Sequence, residues 1–173
     1  MTSSDGTRTQ SEGAPATSPA ATDGFYRLVE FGRKRGMAGG SLIMFQPGPG
    51  EGALPFPIRK VLFISDLRPE DVRGNHAHHQ TQEVLVCLQG ACTVALDDGR
   101  GRTAEVRLCR KDEALLLYPH VWRSVRAFAE GTLLLAIADQ EYDEQDYIRD
   151  RAAFEAKARV WAGVAAALPM GPS

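Results

Sequence analysis

The sequence is poor in cysteine, and its few cysteines lack the spacing of a disulfide framework or a zinc site. Only Cys87, Cys92 and Cys109 occur in 173 residues, and no two of them form a CxxC pair. Each lies within or beside an apolar run that is typical of a strand. Unpaired cysteines in such positions behave as small hydrophobic residues, so we expect reduced thiols in the protein interior.

Long apolar runs and a strong excess of one charge are also absent. No run approaches the ~20 apolar residues that a membrane-spanning helix needs, and the N-terminus lacks the charged-then-apolar order of a secretory signal. The formal net charge of −2 gives no broad positive field for nucleic acid or an anionic membrane. We therefore predict a cytoplasmic protein with no nucleic-acid or membrane partner, in which local arginines would hold any anionic ligand.

The first 23 residues offer almost no apolar surface, because they are mostly Ser, Thr, Gly, Ala and Pro. Ordering such a segment costs conformational entropy without compensating burial. We predict that residues 1–23 form a disordered tail. The rest of the chain is long enough for one domain with a substantial core, since 43% of the whole sequence is hydrophobic.

Nine short runs rich in branched and aromatic residues follow one another between turn signals from Phe25 onward. They are YRLVEF, SLIMF, IRKVLFISDL, EVLVCLQG, CTVALDDG, TAEVRL, ALLLYP, WRSVRAF and TLLLAIAD. Asp97-Asp98-Gly99 is typical of a tight hairpin, and the two prolines of LPFPI, residues 54–58, suit a loop that leads into a strand. This pattern predicts an all-β sandwich or barrel over residues 24–142.

A helical pattern replaces the strand pattern near the C-terminus. Apolar residues recur there at steps of four, three, four and three, before Pro169. They are Phe154, Ala158, Trp161, Ala165 and Leu168. We predict a helical segment over residues 143–168 that covers either the outside of its own barrel or a second subunit.

Three of the four histidines lie in one stretch, RGNHAHHQTQE at residues 73–83. Residues two apart in an extended chain point the same way, so His76 and His78 share a face, and Arg73 begins the same stretch. Glu83 and Gly90 complete the spacing H-x-H-x4-E-x6-G. This spacing resembles the first motif of the cupin superfamily, small barrels in which two histidines and a carboxylate often bind a transition metal.

A metal-binding cupin usually provides a further histidine from a later strand. In the corresponding stretch, LYPHVWRSVRAF, Arg123 or the serine after it takes the inward position, and His120 follows a proline in a predicted turn. A guanidinium does not coordinate a cation and repels one nearby. We therefore predict no metal and no other cofactor. A metal-dependent cupin enzyme such as a dioxygenase, with His76, His78 and Glu83 as ligands, is the alternative.

Longer stretches resemble one cupin family, the nucleotide-sugar 3,4-ketoisomerases that act on dTDP-4-keto-6-deoxyglucose. The similarity covers about residues 40–156, and its most specific pieces are RGNHAH, VLVCLQG, LDDG, PHVW and YDEQDYIR. The resemblance implies a cupin jelly-roll β-barrel with a C-terminal helix. It also implies a metal-independent homodimer with exchanged N-terminal strands, which makes 3-keto sugars for deoxysugar biosynthesis.

Histidine chemistry suits such a reaction. Converting a 4-keto sugar to a 3-keto sugar requires removal of a proton from C3, an enediol, and return of a proton to C4. One base with a pKa near neutrality can do both from one side of the ring. We hypothesise that His76 is the base and His78 a proton relay or oxyanion partner, or the reverse. Donors from Arg73, His78 or Arg123 would stabilise the enediolate.

Four cations are available to bind the pyrophosphate of a nucleotide sugar. In sequence order they are Arg59, Lys60, Arg73 and Arg123. For Arg73 the alternative is a surface pair with Glu70 or Asp71, and WRSVR alternates in a way that could direct Arg123 or Arg126 inward.

Three further residues are candidates for substrate binding or for support of the site. We expect Glu83 to orient Arg73 or a histidine. Tyr118 would present its hydroxyl to the pocket or cap the end of a strand. Trp122 would lie in the core, at the dimer interface or near the pocket. We expect YDEQDYIR, residues 142–149, to be structural and to close the barrel.

The chain also departs from the resemblance at several positions. Leu62 and Phe63 stand where relatives commonly have tyrosines, and Gly39 stands where they tend to have a larger polar or aromatic residue. By the same resemblance, Arg123 bears on the C4 configuration of the product and favours the gluco form. The missing tyrosines leave a second alternative, a catalytically silent cupin that binds sugar nucleotides.

Overall fold

The computed structural model describes residues 24–35, 39–50 and 52–167, with side chains up to residue 161. The predicted tail at residues 1–23 lies outside the described residues, as do Leu168 and the side chain of Ala165. Among the described residues, no helix has the length and apolar character needed to cross a membrane.

The described chain forms twelve strands, one 3-10 turn and one α-helix. The strands are β1 (Tyr26–Glu30), β2 (Arg33–Arg35), β3 (Ser41–Ile43), β4 (Lys60–Ile64), β5 (Arg73–His78), β6 (Glu83–Gln89), β7 (Cys92–Asp97), β8 (Thr103–Leu108), β9 (Glu113–Leu117), β10 (Trp122–Arg126), β11 (Leu133–Ala138) and β12 (Tyr147–Ile148). The 3-10 turn spans Glu144–Asp146, and the helix α1 spans Arg151–Ala167.

Ten of these strands form two five-stranded sheets. The first sheet has the order β1-β9-β6-β11-β4 and the second the order β12-β5-β10-β7-β8, while β2 and β3 form a separate hairpin. Neighbouring strands are antiparallel throughout. The predicted all-β fold with a C-terminal helix is therefore confirmed.

Two turns follow the sequence signals. Residues 98–102 connect β7 to β8, with Gly99 at a φ of 68°. The carboxylates of Asp97 and Asp98 accept hydrogen bonds from the backbone N–H groups of Gly99 (2.6 Å) and Arg100 (2.8 Å). The proline-containing residues 54–58 form the loop that precedes β4. Both turns use the expected chemistry, with short acidic side chains holding the backbone and proline kept outside the strand.

The main core lies between the two sheets. Alternate residues of β7 point into it, namely Cys92, Val94 and Leu96, and Cys87 of β6 meets them from the other sheet. Burial of Cys87 and Cys92 agrees with the prediction for these thiols. The prediction was wrong for Cys109, which is exposed because it follows the last residue of β8.

A second apolar layer covers the outer face of the first sheet. Val84 and Val86 of β6 contact Phe31, Leu54 and Phe56 from the N-terminal part of the chain. Strand β6 is thus buried on both faces, which explains why its sequence is a continuous apolar run with no alternation.

Helix α1 begins at Arg151, eight residues after the expected start of the helical segment at residue 143. The side chain of Asp150 accepts a hydrogen bond from the backbone N–H of Ala153 (2.6 Å), which is the geometry of an N-cap. The residues before it form the 3-10 turn and β12 instead, because their backbone pairs with β5. Phe154 of α1 is fully buried against Ala77 of β5, so the helix packs on the outside of its own barrel.

Candidate functional site

Strand β5 places the two imidazoles on the inner face of the second sheet through an irregular start. Gly74 and Asn75 have positive φ values of 81° and 51°, and the register with β10 shifts between Arg123 and the next residue. Such a bulge re-aims the side chains that follow it. From there the strand alternates regularly, so His76 and His78 point inward while Ala77 faces α1.

We expect Gly74→Ala to destabilise the protein more than a positive φ alone can explain. A Cβ atom on Gly74 would lie 2.8 Å from the backbone oxygen of Arg123, so β5 or β10 would have to move. Gly101 is a matched control, because its φ is 97° and a Cβ there would have no neighbour within 4 Å. Gly101→Ala should cost only the conformational penalty of about 1–2 kcal/mol. Equal losses in urea unfolding of the two variants would contradict this expectation.

A hydrogen bond fixes the tautomer of His76. Its Nδ1 lies 2.9 Å from the carbonyl oxygen of Gly74. A carbonyl can only accept, so Nδ1 carries the hydrogen and Nε2 keeps a lone pair. Within the described residues, that buried Nε2 has no hydrogen-bond partner. The geometry leaves His76 ready to accept a proton from a ligand in the barrel.

His78 is held by a carboxylate. Its Nδ1 lies 2.8 Å from Oδ2 of Asp146, an ion-pair distance at which the carboxylate acts on the ring through its charge. Asp146 is itself fixed, since it accepts hydrogen bonds from the backbone N–H of Gln80 (2.7 Å) and the hydroxyl of Thr81 (2.6 Å). His78 is fully buried, and neither of its ring nitrogens forms a hydrogen bond among the described residues.

Both imidazoles are neutral at physiological pH. Burial, together with the nearby Arg123 cation, lowers the pKa of His76 to about 4. Burial, Arg123 and the His76 imidazole also lower the pKa of His78, although the Asp146 carboxylate opposes this. The neutral form is the one that can accept a proton. The sequence-based expectation of a base with a pKa near neutrality did not include this effect of burial.

The low pKa of His76 predicts a loss of stability in mild acid. The unfolded chain binds a proton at the ordinary His value of 6.5, whereas the folded chain binds it only near pH 4. The free energy of unfolding should therefore fall as the pH drops from 6.5 to 4, by about 2 kcal/mol at pH 5 from this residue alone. Urea titrations of the wild type and His76→Asn at several pH values measure this as a difference in slope. Parallel pH dependences would contradict it.

Arg123 is the cation beside the imidazoles. It lies on β10 directly opposite His76 of β5. Its side chain is inside the protein, since Arg123 is 2% exposed, whereas Arg126 on the same strand is exposed. Its Nη2 lies 3.5 Å from Oε1 of Glu83, and its Nη1 donates to the backbone oxygen of Val121 (3.4 Å). Of the two orientations that the WRSVR pattern allowed, the structure has Arg123 inside the barrel. Glu83 therefore contacts this arginine, and not Arg73 or a histidine as we expected from the sequence.

The rim beside the imidazoles is formed by residues around β12. The ring centroid of Tyr147 lies 4.9 Å from that of His76 and 4.4 Å from that of His78. The guanidinium carbon of Arg149 lies 4.4 Å from the Tyr147 centroid, and Lys60 Nζ lies 5.8 Å from it. The Glu144 carboxylate holds Arg149 through hydrogen bonds of 2.7 and 2.9 Å. Of the predicted cations, Lys60 and Arg123 therefore lie close to the histidines.

The other two predicted cations lie elsewhere. Arg73 is exposed, and its Nη2 lies 3.8 Å from Oδ2 of Asp71, which is the surface alternative. Arg59 lines an open groove of about 420 Å³ with Asp139 and Glu141. Arg59 precedes β4, and Arg73 is the first residue of β5. Neither lies in the part of the strand whose alternate side chains point into the barrel.

Tyr118 and Trp122 lie outside the barrel interior. Leu117 points inward, so its neighbour Tyr118 faces the second apolar layer. Trp122 precedes the inward-facing Arg123 and therefore faces outward, where its ring centroid lies 5.4 Å from that of Phe154. Alternation along a strand explains both positions.

Three site residues were missed by the sequence analysis: Asp146, Tyr147 and Arg149. All of them belong to YDEQDYIR, which we expected to be structural. A strand of two residues shows no alternation that could reveal which side chain points inward. The sequence did contain a signal for these residues, because YDEQDYIR is one of the most specific pieces of the family resemblance. It is also unusually polar and aromatic.

The ligand set of the metal-dependent alternative does not assemble in this geometry. Among residues 24–35, 39–50 and 52–167, no group of three His, Cys, Asp or Glu side chains is placed to hold one metal ion. The Glu83 carboxylate faces Arg123, and this buried guanidinium would repel a cation beside the imidazoles.

Comparison with known proteins agrees with this geometry. Residues 25–159 match the family model described as "FdtA: WxcM-like, C-terminal". The chain is 38% identical over 110 residues to the TDP-4-oxo-6-deoxy-alpha-D-glucose-3,4-oxoisomerase of Aneurinibacillus thermoaerophilus, an alignment that covers 64% of this chain and 76% of that protein. The chain belongs to the nucleotide-sugar 3,4-ketoisomerase family.

Solved structures of 3,4-ketoisomerases share its fold. The enzyme from Helicobacter canadensis superposes with a TM-score of 0.72 at 33% identity, covering 78% of this chain and 97% of that one. A variant of the 3,4-ketoisomerase from Thermoanaerobacterium thermosaccharolyticum, in complex with TDP-4-keto-6-deoxyglucose, superposes with a TM-score of 0.70 at 30% identity, covering 78% and 94%. The predictions of a cupin-type ketoisomerase and of the isomerase class are confirmed.

Proposed function

We propose that this ketoisomerase converts TDP-4-keto-6-deoxyglucose to its 3-keto isomer by proton transfer through the histidine pair. The observation that carries the proposal is the pair of neutral imidazoles, whose buried Nε2 atoms have no partner among the described residues, beside the guanidinium of Arg123. The curated relative from A. thermoaerophilus acts on this sugar by its name, and the T. thermosaccharolyticum variant binds it.

His76 is the base in this proposal. Its Nε2 takes the proton from C3, the C–H electrons form the C3–C4 double bond, and the former carbonyl oxygen at C4 becomes negatively charged. Arg123 stabilises that charge in a water-poor cavity, where electrostatic interactions are strong. The His76 imidazolium then returns the proton to C4. His78, oriented by Asp146, donates or accepts a hydrogen bond at the sugar oxygens.

The low pKa of His76 in the free protein rises during the reaction. A diphosphate at the rim and an enediolate beside the ring both add negative charge, which favours the imidazolium. Lys60 and Arg149 are the cations that flank the mouth of the site, so we assign the pyrophosphate to them. Arg59 and Arg73 have no role in this assignment, because they lie away from the imidazoles.

Incubation of the purified protein with TDP-4-keto-6-deoxyglucose tests the function, with the sugar carbons followed by NMR. We expect a 3-keto product, and the C4 proton of that product reports the configuration that Arg123 favours. Binding of the sugar nucleotide without conversion would support the catalytically silent alternative. Loss of activity with a chelator, restored by a transition metal, would support the metal-dependent one.

Exposed apolar side chains support the further proposal of a homodimer with exchanged N-terminal strands. Val61 and Phe63 on β4 are 48% and 67% exposed, and Leu42 and Met44 at β3 are 59% and 45% exposed. Among the described strands, β4 is an edge of the first sheet, and such edges are normally covered. In this proposal the exposed Leu42 and Met44 of a second copy cover that edge. A cytoplasmic location remains part of this proposal.

We expect Phe63→Lys to shift the protein from dimer to monomer in sedimentation velocity. A lysine at position 63 would be desolvated in the proposed interface without a partner. Val160→Lys is the control, because Val160 is 65% exposed but lies on α1 and not on β4. A dimeric Phe63→Lys variant would argue against this interface.

A further inference from the structure

The ring of Tyr147 is wedged against both imidazoles. β12 pairs with β5 so that Tyr147 lies opposite His78, and the ring contacts His76 as well. Cross-strand pairing of two backbones fixes this position more firmly than a loop would. The phenol is therefore held at the place where the histidines meet a ligand.

The hydroxyl of Tyr147 is uncommitted. In the part of the chain that the structure describes, it makes no hydrogen bond, although the ring is half-buried. The neighbouring Tyr142 differs, because its hydroxyl donates to Oε2 of Glu144 (2.6 Å) and its ring is largely exposed. A half-buried phenol usually finds a partner, so the free hydroxyl of Tyr147 is available to a ligand.

Ketone migration moves two protons, and the histidine base accounts for only one of them. One proton travels from C3 to C4, and the other must leave the hydroxyl oxygen at C3 and reach the former carbonyl oxygen at C4. Leu62 of β4 faces the same interior as Lys60 and Ile64, so its side chain brings no hydroxyl to this task. The transfer between oxygens needs a weak acid within reach of both of them.

We propose that Tyr147 is the catalytic residue that moves the proton between the two sugar oxygens, an assignment that rests on the proposed function. After the double bond has formed, the phenol gives its proton to the oxygen at C4 and neutralises the charge that Arg123 stabilises. The phenolate then takes the proton from the hydroxyl at C3 as the new carbonyl forms and C4 receives its proton from His76. All bonds and charges balance without an added oxidant or reductant.

The surroundings of Tyr147 suit both protonation states. Burial raises the pKa of Tyr147, and the Glu83 carboxylate contributes, so the resting phenol is neutral and can donate. Arg123 and Arg149 oppose this shift, and their positive charges would stabilise the phenolate during turnover. The guanidinium of Arg149 lies directly over the ring.

The test uses Tyr147→Phe, with Tyr142→Phe as the matched control, and follows the keto sugar nucleotide in heavy water by NMR. The phenylalanine keeps the ring that packs on the histidines. We expect product formation to fall by about 100-fold in Tyr147→Phe and to stay at the wild-type level in Tyr142→Phe. Deuterium at C3 of recovered substrate, counted per product formed, should rise about tenfold in Tyr147→Phe, since His76 can still remove that proton.

Two outcomes would overturn the assignment of Tyr147. One is turnover within about twofold of the wild type, and the other is an equal fall in exchange and product formation, which indicates a merely structural role. The ratio of exchange to product does not depend on the fraction of folded enzyme, so partial misfolding cannot mimic the expected result. If the wild type itself makes no 3-keto product, the proposed function fails and this assignment fails with it.

Discussion

Isomerisation is expected to fall by about 10³-fold or more when His76 is replaced by asparagine. The asparagine side chain can still form a hydrogen bond near the Gly74 carbonyl, but its amide cannot accept a proton from carbon at neutral pH. The loss should appear in kcat, measured by NMR or by coupled assay of the 3-keto product. Binding of the sugar nucleotide should be weakened much less, because the rim cations are unchanged.

His79→Asn is the matched control for this prediction. His79 is the next histidine in the chain, but it lies near Trp161 of α1, with ring centroids 6.5 Å apart, and away from the barrel interior. Its replacement should leave kcat unchanged. Near-normal turnover in both His76→Asn and His78→Asn would rule out the histidine mechanism.

Replacement of Arg123 by methionine is expected to destabilise the protein by about 3–5 kcal/mol. Arg123 and Glu83 are both buried, and removal of the guanidinium leaves the carboxylate in a medium of low dielectric constant without its ion partner. Urea unfolding at pH 7 measures the loss.

Two further variants separate this effect from loss of side-chain packing. Arg126→Met removes an arginine from the same strand that pairs with Glu105 at the surface, and it should cost less than about 1 kcal/mol. The double variant Glu83→Leu/Arg123→Met removes both buried charges and should recover most of the stability lost in Arg123→Met. A double variant as unstable as the single one would show that lost packing, and not the unpaired carboxylate, causes most of the destabilisation.

The sequence predicted the fold well where the pattern was periodic. All nine runs contain a strand of the structure, because alternation or continuous apolar character is dictated by burial on one or two faces. The strands that were not among those runs are β2, β5 and β12, and each is short, polar or irregular. In β5 the positive φ at Gly74 and Asn75 interrupts the pattern, although the later spacing of His76 and His78 remained readable.

The site was only partly readable for a related reason. His76 and His78 follow a local rule, namely two residues apart on one strand. Asp146 and Tyr147 join them through strand pairing across more than sixty residues of sequence, and that pairing has no local signature. Arg73 was assigned to the site only because Gly74 and the histidines follow it in the chain, and the structure has it at the surface beside Asp71.

The late position of β12 in the chain has a consequence for biosynthesis. A nascent polypeptide that has emerged only as far as β11 already carries His76, His78 and Arg123 on their strands. It still lacks the carboxylate that holds one imidazole and the phenol that contacts both. The pocket is therefore finished only when the ribosome has released the segment that leads into α1, and a C-terminal truncation before residue 146 would leave a barrel with an incomplete wall.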